Sequence, residues 1–152
     1  MKEQGWQYFL GTLYFILHTF LMARRRHLSR IAVMQVLFER ESHPNEPIDA
    51  LTFNADELGE IDEEFATTLL SGTLDHESDI KATIQQYAPD WSLERMDPIA
   101  RCTLLVGAYE LLYCDDAPPA VVMNEAIDIA KEYGTEESGK FVNGVLNAIA
   151  HR

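Results

Sequence analysis

The sequence predicts an all-α fold, and three of its features lead to that expectation. Period-two alternation of apolar and polar residues is scarce, whereas apolar residues recur at spacings of three and four. Proline and glycine divide the apolar segments, so the connections between helices are short. At 152 residues the chain suits one domain that buries most of its apolar surface.

The first half of the chain contains one clear helix and a second helical region. Leu28, Ile31, Met34 and Phe38 line one face of a first helix that runs to about Ser42. The segment His43-Pro-Asn-Glu-Pro breaks it, and we expect a polar, acidic connector to about Leu58. The apolar spacing then predicts one or two helices over residues 62–87, with kink sites at Gly72 or at residues 76–79.

Three further helices are predicted in the second half. The helix from Asp97 to Tyr113, with Pro98 in its first turn, has almost no polar face and is therefore the central, buried one. The next helix is expected to end at Gly134 in a left-handed cap, and the last begins at a capping Ser138. The helix that ends at Gly134 is expected to expose Glu125, Asp128 and Glu132.

The 17-residue segment from Trp6 to Met22 is apolar but shorter than the roughly 20 residues that span a membrane. Three interpretations are open: an extension upstream of a natural start at Met22, an interfacial anchor, or a membrane segment stopped by the following arginines. We favour the first. Residues 1–21 are then no part of the fold, residues 22–152 form the domain, and no membrane contact is expected.

Charge is distributed very unevenly along the chain. The formal net charge is −13, and residues 31–152 hold 7 Lys and Arg against 24 Asp and Glu. Residues 22–30 hold four arginines, Arg24, Arg25, Arg26 and Arg30, and no acid. Such a body repels nucleic acid at long range but suits a basic protein partner, so RNA contact must be local. Arginine can grip phosphate bidentately and stack on bases, although a solvated basic tail is the simpler interpretation.

No motif for catalysis or cofactor binding is complete. The segment Gly134-Thr-Glu-Glu-Ser-Gly-Lys-Phe141 nearly matches a phosphate-binding loop, but it lacks the final Ser or Thr that ligates magnesium. Cys102 and Cys114 lie about 18 Å apart on one predicted helix, which excludes a disulfide between them. The five histidines show no metal-ligand spacing, so we expect no metal, no cofactor and no enzymatic activity. Glu110, in an apolar stretch, is expected to satisfy an arginine or backbone amides.

The start of the last helix is a second candidate binding region. Lys140 lies where helix amides are exposed, and Phe141 is either core or a ring on which a base can stack. An ordinary capped helical turn is the simpler interpretation of this segment.

Several segments in order resemble the NusB family of bacterial transcription antitermination factors. They are Ala23-Arg-Arg-Arg26, Val33-Met-Gln-Val-Leu-Phe38, Val106-Gly-Ala-Tyr-Glu-Leu111, Met123-Asn-Glu-Ala-Ile-Asp-Ile-Ala-Lys131 and Lys140-Phe-Val-Asn-Gly-Val-Leu146. The resemblance covers about Met22 to Ala150. It implies two small helical halves packed together, without catalysis. It also implies binding of boxA RNA jointly with the small-subunit ribosomal protein that acts as NusE, within the RNA polymerase antitermination complex in the cytoplasm.

Residue by residue, the resemblance implies an RNA surface of eight positions. These are Arg24, Arg25, Arg26, Arg30, Phe38, Glu137, Lys140 and Phe141. Ala100 and Leu105 depart from the family, which commonly has an acid and an arginine there. A homodimer of the free protein is left open. Two alternatives are a helper domain like those of RNA cytosine methyltransferases and a module tethered to a membrane by the apolar segment.

Overall fold

The structure is a computed structural model that describes residues 2–152, and the side chains from Glu3 onward. This part of the chain is all-helical and contains no strand, which confirms the predicted fold class. The elements are α1 (Lys2–Ser42), α2 (Pro47–Leu58), α3 (Glu63–Asp75), α4 (Glu77–Tyr87), a 3-10 turn (Leu93–Arg95), α5 (Pro98–Tyr113), α6 (Pro119–Tyr133) and α7 (Glu136–Ala150).

The helices form two halves around one core. The second part of α1 packs with α2 and α3, while α4, α6 and α7 surround α5, which also contacts α1 and α3. Every residue of α5 from Cys102 to Glu110 is buried, as its lack of a polar face predicts. Helices α1 and α5 are antiparallel, because Arg30 pairs with Glu110 at one end and Glu41 with Arg101 at the other.

Helix α1 is 41 residues long and divides into an exposed and a buried part. The large apolar side chains before Met22, such as Trp6, Phe15 and Phe20, are each more than half exposed. From Leu28 to Leu37 the helix enters the core. None of the helices in the described part is both long enough and apolar enough to span a membrane.

Residues 47–58 form a helix, so the predicted polar connector over this segment is wrong. Pro47 occupies the first turn of α2, where its fixed φ suits a helix and its missing N–H is not needed. Leu51 and Asn54 are the buried residues of α2. Leu58 is only partly buried against the core, so one large apolar side chain of α2 is buried and the sequence carries little of the periodicity that marks an amphipathic helix. The second break is at His76, between α3 and α4, and α3 continues through Gly72.

The turn between α6 and α7 differs from the predicted one in both caps. Gly134 has φ −112° and is not left-handed. A Cβ there would lie 2.7 Å from the Ala130 carbonyl oxygen, so glycine is required by space. Thr135 is the N-cap of α7 and accepts from the Ser138 N–H, while the Ser138 hydroxyl accepts from the Thr135 N–H. Ser138 is therefore the reciprocal partner in a capping box, not the cap itself.

Candidate nucleic-acid interface

The arginines at residues 24–26 form a partly exposed basic cluster, here called the arginine end. Arg24 is exposed and makes no ion pair with any residue the structure describes. The half-buried Arg25 pairs with Glu60, and Arg26 lies 3.6 Å from an Asp62 carboxylate oxygen. Within the arginine end, Arg24 is thus unpaired among the described residues, whereas Arg25 and Arg26 each already have an acidic neighbour.

Arg30 is buried, which corrects its assignment to the RNA surface. Its side chain is 6% exposed. Its Nε and Nη2 donate to the two carboxylate oxygens of Glu110 at 2.6 and 3.0 Å. The guanidinium also lies 5.0 Å from the centre of the Phe65 ring. Arg30 therefore closes the core beneath the arginine end, and Glu110 satisfies an arginine as the sequence predicted.

His27 and Glu125 link α1 to α6 beside this ion pair. His27 Nδ1 lies 2.6 Å from a Glu125 carboxylate oxygen, and Arg30 Nη1 lies 3.5 Å from the same oxygen. The hydrogen bond to Glu125 raises the pKa of His27 against the opposing effect of burial. Burial acts to raise the pKa of Glu125, but His27 and Arg30 outweigh it and lower that pKa. Glu125 is therefore half-buried and paired, not exposed as predicted.

The start of α7 presents the other predicted residues. Glu137 and Lys140 are highly exposed, and their carboxylate oxygen and ammonium lie 3.2 Å apart. Phe141 is half-buried: it packs on the core from one side. On the other side it meets Trp91 edge-on, with the ring centroids 5.8 Å apart. Phe141 thus packs partly on the core, and base stacking on its ring stays a prediction.

Trp91 and Arg95 join this region, and the sequence analysis did not single them out. Both are exposed, and both line an open cavity of about 550 Å³ together with Lys140 and Phe141. We call these four residues the aromatic slot. A Trp followed by Arg four residues later, between two helices, was the available signal. Nothing in the one-dimensional sequence places it beside residues 140 and 141.

Phe38 lies apart from the other predicted site residues. It is 40% exposed and lines a shallow cavity of about 430 Å³ with residues of the α1–α2 connection, including His43 and Pro44. None of the other seven predicted positions lines that cavity. Phe38 remains a predicted RNA contact that stands by itself.

The arginine end and the aromatic slot lie toward opposite ends of the bundle. Arg26 and Glu41 are separated by about 22 Å along the axis of α1. Glu41 binds Arg101, whose other donated hydrogen bonds go to the Leu93 and Met96 carbonyl oxygens at the aromatic slot. The exposed predicted residues therefore lie in two separate regions, with Phe38 apart from both, and not along one continuous edge.

The two cysteines of the described residues carry thiols that their surroundings do not activate. Burial raises the pKa of the Cys102 thiol to about 12 and also raises the pKa of Cys114. Both thiols are consequently protonated at neutral pH and poor nucleophiles. No group of three or more His, Cys, Asp or Glu side chains comes together as a metal site within the described part of the chain.

Comparison with known proteins identifies the family. The sequence profile of the NusB family matches residues 27–151. This chain belongs to the NusB family. The transcription antitermination protein NusB of Methylacidiphilum infernorum (isolate V4) is 37% identical over 131 residues, covering 84% of this chain and 91% of that protein.

Solved structures of the family share the fold. The structure of T. maritima NusB matches with a TM-score of 0.76 and 38% identity, covering 84% of this chain and 91% of that one. A crystal structure of the antitermination factors NusB and NusE in complex with dsRNA matches with a TM-score of 0.75 and 27% identity. It covers 84% of this chain and 97% of that chain. The aromatic slot lies inside the span that the NusB profile matches, whereas Arg24, Arg25 and Arg26 precede it.

Proposed function

We propose that this NusB-family protein is a transcription antitermination factor of the cytoplasm that binds boxA RNA together with a NusE-type ribosomal protein. It acts by binding and assembly with RNA polymerase, without catalysis. The observation that carries the proposal is the shared fold with the NusB of a NusB–NusE–RNA complex, over 84% of this chain.

The distribution of charge supports a shared RNA surface. Residues 31–152 are strongly acidic, so long-range attraction of RNA to this protein alone is weak. A basic ribosomal protein bound to the acidic body would add its own positive charge next to the arginine end. Two weak RNA contacts on one rigid assembly then act on one strand, which raises the affinity well above that of either.

The arginine end supplies the first test. The variant R24A/R25A/R26A removes three cations that can neutralise phosphate. For single-stranded RNA each lost phosphate contact lowers the slope of log affinity against log salt by about 0.7, so we expect a slope smaller by about 2. Fluorescence anisotropy of a labelled single-stranded boxA RNA, from 50 to 300 mM salt and with NusE present, measures the affinity and its salt slope.

Lys81→Ala provides the matched control. Lys81 lies on α4, pairs with Glu77 and belongs neither to the arginine end nor to the aromatic slot, so its replacement removes one cation outside both regions. Its affinity and salt slope should equal those of the unmodified protein. If the triple variant also binds with unchanged affinity and slope, the arginine end is not part of the RNA surface.

Assembly is tested with the unmodified protein. Mixing it with a NusE-type ribosomal protein and boxA RNA should give a ternary complex that elutes earlier in gel filtration than any pair of components. If no ternary complex forms at low salt, the proposed function is wrong.

A further inference from the structure

We infer that the aromatic slot is a binding site for one unstacked nucleobase of single-stranded RNA, with Trp91 as its stacking wall and Arg95 as its phosphate contact. This inference rests on the proposed function and deepens it. It assigns two residues that the sequence did not single out and a defined chemical ligand.

Trp91 presents an apolar face that the fold does not use. Its side chain is 55% exposed, and it meets Phe141 edge-on at an interplanar angle of 67°. Phe141 in turn rests on the core. The indole is therefore supported by Phe141 while more than half of its side chain stays exposed. A nucleobase can stack on such a face whatever its identity, because every base has a π-face.

The loop that carries Trp91 is held rigidly, unlike an ordinary surface loop. The Gln85 side-chain amide donates to the carbonyl oxygens of Ala88 and Trp91 at 3.0 and 2.8 Å. The Gln85 amide oxygen accepts the Leu93 N–H. Because the backbone is already ordered, binding a ligand at the indole costs little further conformational entropy.

A second clamp holds the other side of the loop. Arg101 Nη1 donates to the Leu93 and Met96 carbonyl oxygens at 2.8 and 2.9 Å. Its Nε and Nη2 bind both carboxylate oxygens of Glu41. The position of Arg95, between these two carbonyl groups, is thereby fixed relative to α1.

The charges at the slot select the occupant. Arg95 is exposed and makes no ion pair with any residue the structure describes. Lys140 is 70% exposed and pairs with Glu137, whose exposed carboxylate also lines the cavity. The Asp97 carboxylate, which lines it as well, caps α5 and accepts the Ser138 hydroxyl at 3.0 Å. One unpaired guanidinium and one exposed ammonium beside an aromatic ring match a base with its phosphates.

The test uses the full chain with Trp6→Phe, so that Trp91 is the remaining tryptophan of two. A 12-nucleotide single-stranded boxA RNA should quench the Trp91 emission on binding. Trp91→Ala should weaken RNA binding about 5- to 50-fold, as expected for loss of one base–aromatic stack. Trp91→Phe keeps a ring and should stay within threefold. Arg95→Ala should reduce the salt slope by about 0.7.

Phe53→Ala is the matched control, because Phe53 is 66% exposed on α2 and lines none of the cavity. RNAs with one abasic nucleotide locate the base. At one position of the RNA, the abasic change should weaken binding to the W6F protein as much as Trp91→Ala weakens binding of intact RNA. The same abasic RNA should bind the Trp91→Ala variant almost as well as intact RNA does.

The outcomes separate this inference from the proposed function. If the arginine-end triple variant loses affinity but Trp91→Ala and Arg95→Ala do not, and Trp91 emission is not quenched, the slot holds no base and only this inference fails. If Trp91→Ala weakens NusE binding without RNA and leaves RNA binding intact, the occupant is a protein side chain. If Trp91→Ala does not fold, as judged by circular dichroism, the quenching of Trp91 emission in the W6F protein is compared between intact and abasic RNA. Equal quenching by all of these RNAs would mean that the slot holds no base. If RNA binds nowhere even with NusE, both ideas fail.

Discussion

At the scale of single residues, Arg26 and Arg30 show how position along a helix decides the role of a charge. They lie one turn apart on α1, and both guanidinium groups lie over the Phe65 ring, at 4.6 and 5.0 Å. Arg26 remains at the rim of the bundle, whereas Arg30 is inside it. In the sequence they belong to one basic cluster. Only the depth at which α1 enters the core separates a surface contact from a buried ion pair.

Glu110→Gln should strongly destabilise the fold, because it removes the carboxylate that Nε and Nη2 of the buried Arg30 bind and leaves only the longer 3.5 Å contact with Glu125. Removing one member of a buried pair costs about 3–5 kcal/mol of unfolding free energy. The double variant R30M/E110M should recover most of that loss, since neither charge is then buried. Urea unfolding followed by circular dichroism measures the change.

Glu60→Ala serves as the comparison, because it removes the exposed partner of Arg25 and should cost less than about 1 kcal/mol. Equal losses for Glu110→Gln and Glu60→Ala would mean that the buried pair has no special role in stability.

At the scale of helices, the apolar spacing located the buried part of α1 and helices α5, α6 and α7, and it left open whether residues 62–87 form one helix or two. The central place of α5 followed from its missing polar face. Helix α2 was missed because Leu51 is its one buried large apolar residue and Leu58 is only partly buried. The cap of α7 was misplaced by three residues, because Thr135 and Ser138 can both accept a backbone N–H and only the three-dimensional turn shows which one begins the helix.

The exposed part of α1 should contribute little to the stability of the domain. Core residues on α1 begin at Leu28, and the side chains of residues 6–21 make no core contact. Deleting residues 2–21 should therefore change the unfolding free energy by less than about 0.5 kcal/mol, while the helical signal in circular dichroism falls. It should also reduce self-association, because a large exposed apolar patch is removed.

Deletion of residues 2–30 is the contrasting variant, since it also removes Leu28 and Arg30 and should abolish cooperative unfolding. A loss of more than about 1 kcal/mol for the shorter deletion would show that the apolar segment belongs to the fold.

At the scale of the whole molecule, ionic contacts join α1 to the second half of the bundle. His27–Glu125 and Arg30–Glu110 hold one end, and Glu41–Arg101 holds the other. Each of these contacts connects residues far apart in sequence, so none could be paired from spacing alone. The same is true of the aromatic slot, whose two halves are about fifty residues apart. The fold was predictable because it depends on local periodicity, whereas the site depends on which distant side chains meet.

Stability should depend on pH through His27 and Glu125. The pKa of His27 is raised above its ordinary 6.5, so its contribution is complete below that pH and is lost as pH rises through the raised value. The pKa of Glu125 is lowered, so its contribution is complete above its ordinary 4.5 and is lost as pH falls through the lowered value. The pair should therefore stabilise the fold most between about pH 4.5 and 6.5.

His27→Gln tests this expectation in urea titrations from pH 5.5 to 8.5. The difference in unfolding free energy between the unmodified protein and the variant should be constant below about pH 6.5 and should shrink as pH rises above it. A difference that stays constant over that interval would mean that His27 does not change its proton binding on folding.

If the arginine end and the aromatic slot bind the same transcript, as proposed, the antiparallel packing of α1 on α5 sets the distance between them. The segment of α1 from Leu28 to Leu37 is locked in the core, so inserting or deleting a residue there would turn one end against the other by about 100°. The number of nucleotides between the two proposed regions would then be set by the core of the protein. A transcript with a different spacing would have to loop out or contact only one region.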